Sequence, residues 1–319
     1  MRKVTVIGAG NVGSTIAYTL AVDSVANEVV MIDIRADKAE GEAMDISQAS
    51  PFFNGTRVVA GTYEDAVDSD IVIITSGMGR KPGQTRLDLA QTNVNILCQI
   101  APQITKYAPN AIYVIVSNPV DVMTYVFHKV TNIPYHRILG SGTLLDTSRL
   151  RSYLADHFDI SKQNVHAHVL GEHGDSSFIP WSQATVSVVG MDKYAECVKD
   201  ADAPVAPLDR EAAEHYVRSS GAEIIARKGA TFYAVAVTSV YICKCIFSEA
   251  DTAMTVSTMM DGEYGLNDVC LSLLTVVGKR GVKARITPDL TEEEFAKLHH
   301  SAKCLRDVID QINIPGLDK

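Results

Sequence analysis

The chain has 319 residues, of which 46% are hydrophobic and 21% charged, a balance that fits a globular protein of one or two domains. Its formal net charge of -9 is spread along the sequence rather than gathered in a tail. That argues against nucleic acid or an anionic membrane as partner, since both reward clustered Lys and Arg. Six cysteines without a C-x-x-C pair exclude a disulfide framework, and Cys243 and Cys245, set in an apolar helical segment, read as small core residues of a reducing compartment. The chain enters a strand at once, with no signal-peptide pattern, and the uncharged run 229–243 is too short for a bilayer, so a cytoplasmic protein is expected.

In chain order, Val4-Thr5-Val6-Ile7 is a β-branched run that stops at a glycine turn, residues 11–22 follow helical spacing, and 29–34 form a second apolar run containing Asp33. Buried strands are predicted at 71–74 and 111–116, separated by a helix over 87–106, and Ile138-Leu139 leads into Gly140-Ser141-Gly142. Continuous apolar strands alternating with helices predict α/β architecture: a Rossmann-type doubly wound parallel sheet over 1–140, followed by a mixed α+β substrate domain over 141–319. In that second part, strand-like pieces at 165–170 and 184–190 precede a long helical stretch over 210–247 and a β-meander over 254–287. Thr291 opens a final helix with Glu292, Glu293 and Glu294 in its first turn. The loop 77–85, with three glycines and a proline, is expected to act as a mobile lid.

Gly8-Ala9-Gly10-Asn11-Val12-Gly13 follows a strand and opens a helix, and Asp33 lies twenty residues beyond Gly13. Glycines at 8, 10 and 13 permit a tight turn and close approach of the backbone to a pyrophosphate, which would rest on the helix start at Asn11 and Val12. Asp33 would accept hydrogen bonds from a ribose and repel a 2′-phosphate, which favours NAD over NADP; Arg35 nearby softens that preference. The plainer alternative is a structural turn with an ordinary surface aspartate.

Gly171-Glu172-His173-Gly174-Asp175 places a histidine between acidic residues in a glycine-flanked turn, where an imidazole can exchange a proton near neutral pH. Taken one at a time, the neighbouring candidates have ordinary readings. Asp146 and Arg149 could be a helix-surface ion pair, Arg86 a solvated side chain, and Asn118-Pro119 a turn starter. A metal site built from His166, His168 and His173 is not expected, and His299 and His300, adjacent on a helix, point apart and read as structural.

The motifs GAGNVG (8–13), GRKPGQTR (79–86), SNPVD (117–121), LLDTSR (144–149), GEHGD (171–175), KGATFYA (228–234) and HHSA (299–302) occur in this order over essentially the whole chain. In this the sequence resembles the L-lactate/L-malate dehydrogenase family. The resemblance implies an NAD-dependent enzyme in which His173 is the acid/base, Asp146 orients and charges its ring, Arg149 grips the substrate carboxylate with a bidentate fork, and Arg86 polarises the carbonyl. Asn118 would hydrogen-bond the substrate oxygen, Ser117 and Asn118 would border the nicotinamide, and Thr231 would line the substrate pocket. The family association also implies a homotetramer, or a dimer that pairs further, and a place in glycolysis and fermentation. Arg151 and His166 match positions where bacterial lactate dehydrogenases hold fructose 1,6-bisphosphate, an allosteric effector; ordinary surface charge is the alternative.

The choice of hydroxy acid stays divided. Arg80 occupies the position that selects the substrate side chain, and arginine there looks malate-like, since a guanidinium could pair with the second carboxylate of oxaloacetate. GEHGDSSF, Trp181-Ser182, GTLLDTSRLR and Thr231 resemble the lactate branch, while Gln84 fits neither. The favoured reading is L-lactate dehydrogenase, with L-malate dehydrogenase as alternative. An NADP-linked reductase and a non-catalytic dinucleotide sensor are the other classes considered.

Overall fold

The computed structural model describes residues 1–79, 83, 85–198 and 205–317. Six strands, β1 (Lys3–Ile7), β2 (Glu28–Ile32), β3 (Arg57–Ala60), β4 (Ile71–Ile74), β5 (Ile112–Ile115) and β6 (Ile138–Gly140), form a parallel sheet in the order 3-2-1-4-5-6. Every residue of β4 and β5 is buried, which requires cover on both faces and explains their unbroken apolar composition.

Alternation along the strands decides which helix each face receives. Val4, Val6, Ile71, Ile73, Ile112 and Val114 pack against α1 (Asn11–Val22), α2 (Ala36–Gln48) and α8 (Tyr233–Phe247). Ile7, Val72, Ile74, Tyr113 and Ile115 pack against α3 (Arg86–Tyr107), α4 (Val120–Val130) and α9 (Glu292–Ile309). Cys243 and Cys245 are buried in the first of these layers.

The sheet continues into the second half of the chain. β10 (Thr252–Asp261) joins β6 antiparallel through Ser257 opposite Gly140, and β11 (Asn267–Gly278) and β12 (Gly281–Ile286) extend it to nine strands. A smaller sheet of β7 (Val165–His166), β8 (Thr185–Val186) and β9 (Val189–Gly190) stands apart. Its core is shared with α5 (Leu144–Phe158), α6 (Met191–Cys197), α7 (Arg210–Lys228) and the aromatic ring of Trp181.

Several expectations need correction. The helical stretch 210–247 is two helices, because α7 ends on Gly229 at φ +86°, a left-handed cap that residues with a side chain rarely adopt. Only Val165 and His166 of the run 165–170 are strand; Leu170 instead makes an isolated bridge to Phe178. The second apolar run ends as strand at Ile32, leaving Asp33 just beyond it. No helix among the described residues is long and apolar enough to cross a membrane.

Candidate active site

α3, α4 and α5 each follow the carboxyl end of a parallel strand, and this end of the sheet carries the candidate groups; doubly wound sheets bind ligands at that end. Asp146 sits in the first turn of α5, where the helix dipole favours its negative charge, and Arg149 follows three residues later on the same face. Asp146 Oδ1 accepts from Arg149 Nη1 at 2.9 Å, and Oδ2 lies 2.5 Å from His173 Nδ1. With Nδ1 turned to a carboxylate, the second ring nitrogen, Nε2, is left without a hydrogen bond to the described residues. α7 walls the guanidinium at Gly221, where even an added Cβ would lie 3.5 Å from Nη2.

Charge follows from this geometry. The Asp146 carboxylate raises the His173 imidazole to about 9, against the desolvation that opposes its charge. Burial disfavours ionised Asp146, but the cationic His173 and Arg149 outweigh it and hold the carboxyl below its ordinary range. The pair is therefore an ionised carboxylate under a readily protonated ring.

The turn that carries His173 is tied down on several sides. Thr143 Oγ1 donates to Val169 O at 2.5 Å, and Thr147 Oγ1 accepts from Val169 N at 2.9 Å, so the start of α5 fixes the approach to the turn. Gly171, at φ +89°, exchanges two 2.9 Å backbone hydrogen bonds with Ser272 of β11, and a Cβ there would lie 2.6 Å from Ser301 Oγ. Ser301 of α9 accepts from Glu172 N at 2.7 Å, and Asp121 Oδ2 of α4 accepts from His173 N at 2.8 Å.

Arg86 is the first residue of α3, which Thr85 and Asp88 cap reciprocally. Its Nη2 pairs with Asp175 Oδ2 at 2.6 Å, so the arginine reaches the histidine turn. Both side chains are largely exposed, 68% and 74%, and a pair of that kind opens at little cost, about 0–1 kcal/mol. Ser117, at the end of β5, donates to Ser76 O at 2.6 Å, and the exposed Asn118 precedes a cis proline peptide. Asn93 of α3 fastens this corner, with Nδ2 donating to Asn118 O at 2.7 Å and Oδ1 accepting from Met78 N at 2.7 Å.

The glycine turn stands beside it, at the end of β1. A Cβ on Gly13 would lie 1.8 Å from Gly8 O, so α1 can follow the strand this closely only without a side chain there. Gly10 caps α1 with no side-chain hydrogen bond to its first amides, and nothing in the protein lies within 4 Å of the place its Cβ would take. Asp33 Oδ2 accepts from Ala9 N at 2.7 Å and Oδ1 from Arg35 N at 2.9 Å, which leaves lone pairs on both oxygens for hydroxyl donors. Open helix amides, a bare backbone and an anchored carboxylate fit an adenosine diphosphate with a free 2′-hydroxyl. Gly13→Ala should lower stability by about 1–3 kcal/mol and weaken NADH binding about tenfold or more, read from melting curves with and without NADH.

Comparison with known proteins bears on the whole chain. Residues 2–140 match the family model for the lactate/malate dehydrogenase NAD binding domain, and residues 143–314 match that for the lactate/malate dehydrogenase alpha/beta C-terminal domain. The chain belongs to the lactate/malate dehydrogenase family. It is 41% identical over 315 residues to an L-lactate dehydrogenase of Thermoanaerobacterium saccharolyticum, covering 98% of this chain and 100% of the relative. It is 42% identical over 313 residues to L-lactate dehydrogenase 1 of Clostridium acetobutylicum, covering 97% and 98%. Among solved structures, the minor L-lactate dehydrogenase of Enterococcus mundtii in ligand-bound form superposes with a TM-score of 0.91 at 36% identity, covering 98% and 99% of the two chains. Members of the lactate/malate dehydrogenase family are NAD-dependent oxidoreductases acting on a CH–OH group, and this chain is one of them.

Thr231 is half-buried in the break between α7 and α8 and makes no side-chain hydrogen bond among the described residues. Arg80 and Gln84 fall outside the described residues. Arg151, on α5, donates to Lys162 O at 3.2 Å, and burial together with the Arg151 and His166 charges holds nearby His168 down at about 4. His299 bonds Tyr264 O while His300 contacts Cys304, so these neighbours do point apart. Among the residues that escaped the sequence reading are Asn93, Asp121 and Ser301. Asp121 and Ser301 lay inside quoted motifs, the one signal that could have raised them.

Proposed function

We propose that this protein is an L-lactate dehydrogenase that reduces pyruvate to L-lactate. The observation that carries the reading is the His173–Asp146–Arg149 cluster, in a chain whose residues 2–140 match an NAD binding domain and whose full-length relatives include L-lactate dehydrogenases. Bound NADH supplies the hydride. Gly8, Gly10 and Gly13 let the backbone approach the pyrophosphate, Asn11 and Val12 offer amides, and Asp33 holds the ribose. Arg149 keeps donors beyond the one spent on Asp146 and grips the pyruvate carboxylate in a fork. His173 Nε2 then delivers its proton to the carbonyl oxygen, and Asp146 stabilises the charged ring until that moment. Arg86 leaves Asp175 to polarise the same oxygen, helped by Asn118, while Ser117 borders the nicotinamide and Thr231 the methyl side of the pocket.

In this reading residues 1–140 supply the cofactor side and 141–319 the substrate side. Exposed Phe52 (90%), Tyr233 (66%), Val237 (57%) and Met44 (56%) support burial against further copies in a homo-oligomer, with a tetramer as the assembly proposed. Arg151 and His166, which converge beside His168, are assigned to a fructose 1,6-bisphosphate effector site, and the cell role to cytoplasmic fermentation at the end of glycolysis.

L-malate dehydrogenase is retained as a second reading because of Arg80 alone. One experiment separates the two: initial NADH-dependent rates with pyruvate and with oxaloacetate, for the native protein and Arg80→Gln, with and without fructose 1,6-bisphosphate. Native preference for pyruvate, and a KM for pyruvate that the bisphosphate lowers, are expected. Preference for oxaloacetate that collapses in Arg80→Gln would reverse the assignment.

A further inference from the structure

Residues 229–232 alone join α7, which ends at Lys228, to α8, which begins at Tyr233. α8 starts with no side-chain cap and no acidic residue in its first turn, so nothing of the usual kind fixes that end of the joint. Lys228 supplies another kind of fastening. Its Nζ lies 3.5 Å from the ring centre of Phe232 and 4.1 Å from that of Tyr233, and the two rings stand 4.4 Å apart at 57°. A ring face attracts a cation within about 6 Å, and here one ammonium meets two rings across the break. Among the described residues Lys228 makes no hydrogen bond or ion pair that would draw it elsewhere.

We propose that Lys228 is a positioning residue for substrate binding: its ammonium, clasped by Phe232 and Tyr233, sets the path of 229–232 and with it the place of Thr231 against the substrate. This rests on Thr231 bordering the substrate pocket, as in the preceding section. Thr231 is half-buried inside the clasped segment and has no side-chain hydrogen bond of its own to hold it, so its position follows from the path of its neighbours. The clasp also acts through α7. That helix carries Gly221, which walls the Arg149 guanidinium, and its C-terminus is the end that Lys228 ties to α8. A loosened joint would therefore disturb the threonine and the wall of the carboxylate fork together. The cofactor turn on β1 and α1 lies outside the clasped segment, so the effect falls on the oxo acid rather than on NADH.

The test is KM and kcat for pyruvate, with NADH affinity alongside, in the native protein, Lys228→Met, Lys228→Arg, Phe232→Leu and Thr231→Ala. Lys228→Met keeps a stem to pack on the rings and removes the charge, so KM should rise about fivefold with kcat changed far less, the mark of lost binding. Lys228→Arg, whose guanidinium stacks on aromatic faces, should bring KM back to within about twofold of native. Phe232→Leu takes away a ring and leaves the lysine; it should raise KM likewise, and it serves if Lys228→Met does not fold. A native KM in both Lys228→Met and Phe232→Leu would overturn the proposal, as would an equal rise in the Met and Arg variants. A native KM in Thr231→Ala would instead remove Thr231 from the pocket and sink the reading underneath, so the two failures are told apart.

Discussion

His173→Ala should lower kcat for pyruvate reduction by about 10²–10⁴-fold, the range general acid catalysis supplies, with NADH binding almost untouched. The separation follows from place: the ring is held by Asp146 at 2.5 Å on α5, while the dinucleotide turn is built on β1 and α1. The same ring dictates the pH response. Reduction consumes the proton on the imidazolium, and with the ring raised to about 9 by Asp146, native reduction should hold through neutral pH and decline as pH rises through that value. Oxidation of lactate needs the neutral ring and should climb through the same interval. Alanine removes both limbs. Turnover in the alanine variant equal to native, or limbs that persist without the ring, would show that another group moves the proton. Stopped-flow rates in both directions between pH 6 and 10, with NADH fluorescence for binding, supply the measurement.

The second large effect concerns Arg149. One N–H of Nη1 is spent on Asp146 at 2.9 Å, and the planar guanidinium holds four further N–H donors in a fixed fork. Lysine retains the charge but offers it as a point, with no pair of parallel donors to match a carboxylate. Loss of one charge-assisted hydrogen bond is worth about 1.5–3 kcal/mol, so Arg149→Lys should raise KM for pyruvate about 10- to 100-fold. The Asp146 carboxylate would also lose its hydrogen-bonded neighbour. A native KM in that variant would remove Arg149 from the carboxylate-binding role, whatever happened to kcat.

Elements with a strong apolar signature are legible in the sequence. α1 runs from Asn11 to Val22 as read, because a glycine turn marks its start and Ile16, Ala17, Leu20 and Ala21 recur on one face. The strands at 71–74 and 112–115 were likewise written in unbroken apolar runs. α2 escaped because it buries only Ala39, Ala43 and Ile46, too little bulk to stand out from a polar helix. The break between α7 and α8 turned on one glycine inside an otherwise helical composition.

At the site, side-chain chemistry was readable and backbone contacts were not. A histidine in an acidic turn and an Asp/Arg pair three apart announce themselves by residue type, and the fold places them within hydrogen-bond reach. Asp121 and Ser301 act on main-chain amides 52 and 129 residues away, and nothing in residue type encodes such a pairing. Asn93 is similar, since it bonds a carbonyl at Asn118 and both backbone groups of Met78.

The grip of Ser301 on the Glu172 amide has a consequence for folding. The Asp33 hold on Ala9 is made across 24 residues of chain, whereas the histidine turn is anchored across 129. Local loosening of α9 would thus free the turn that carries His173 and leave the contact between Asp33 and Ala9 standing.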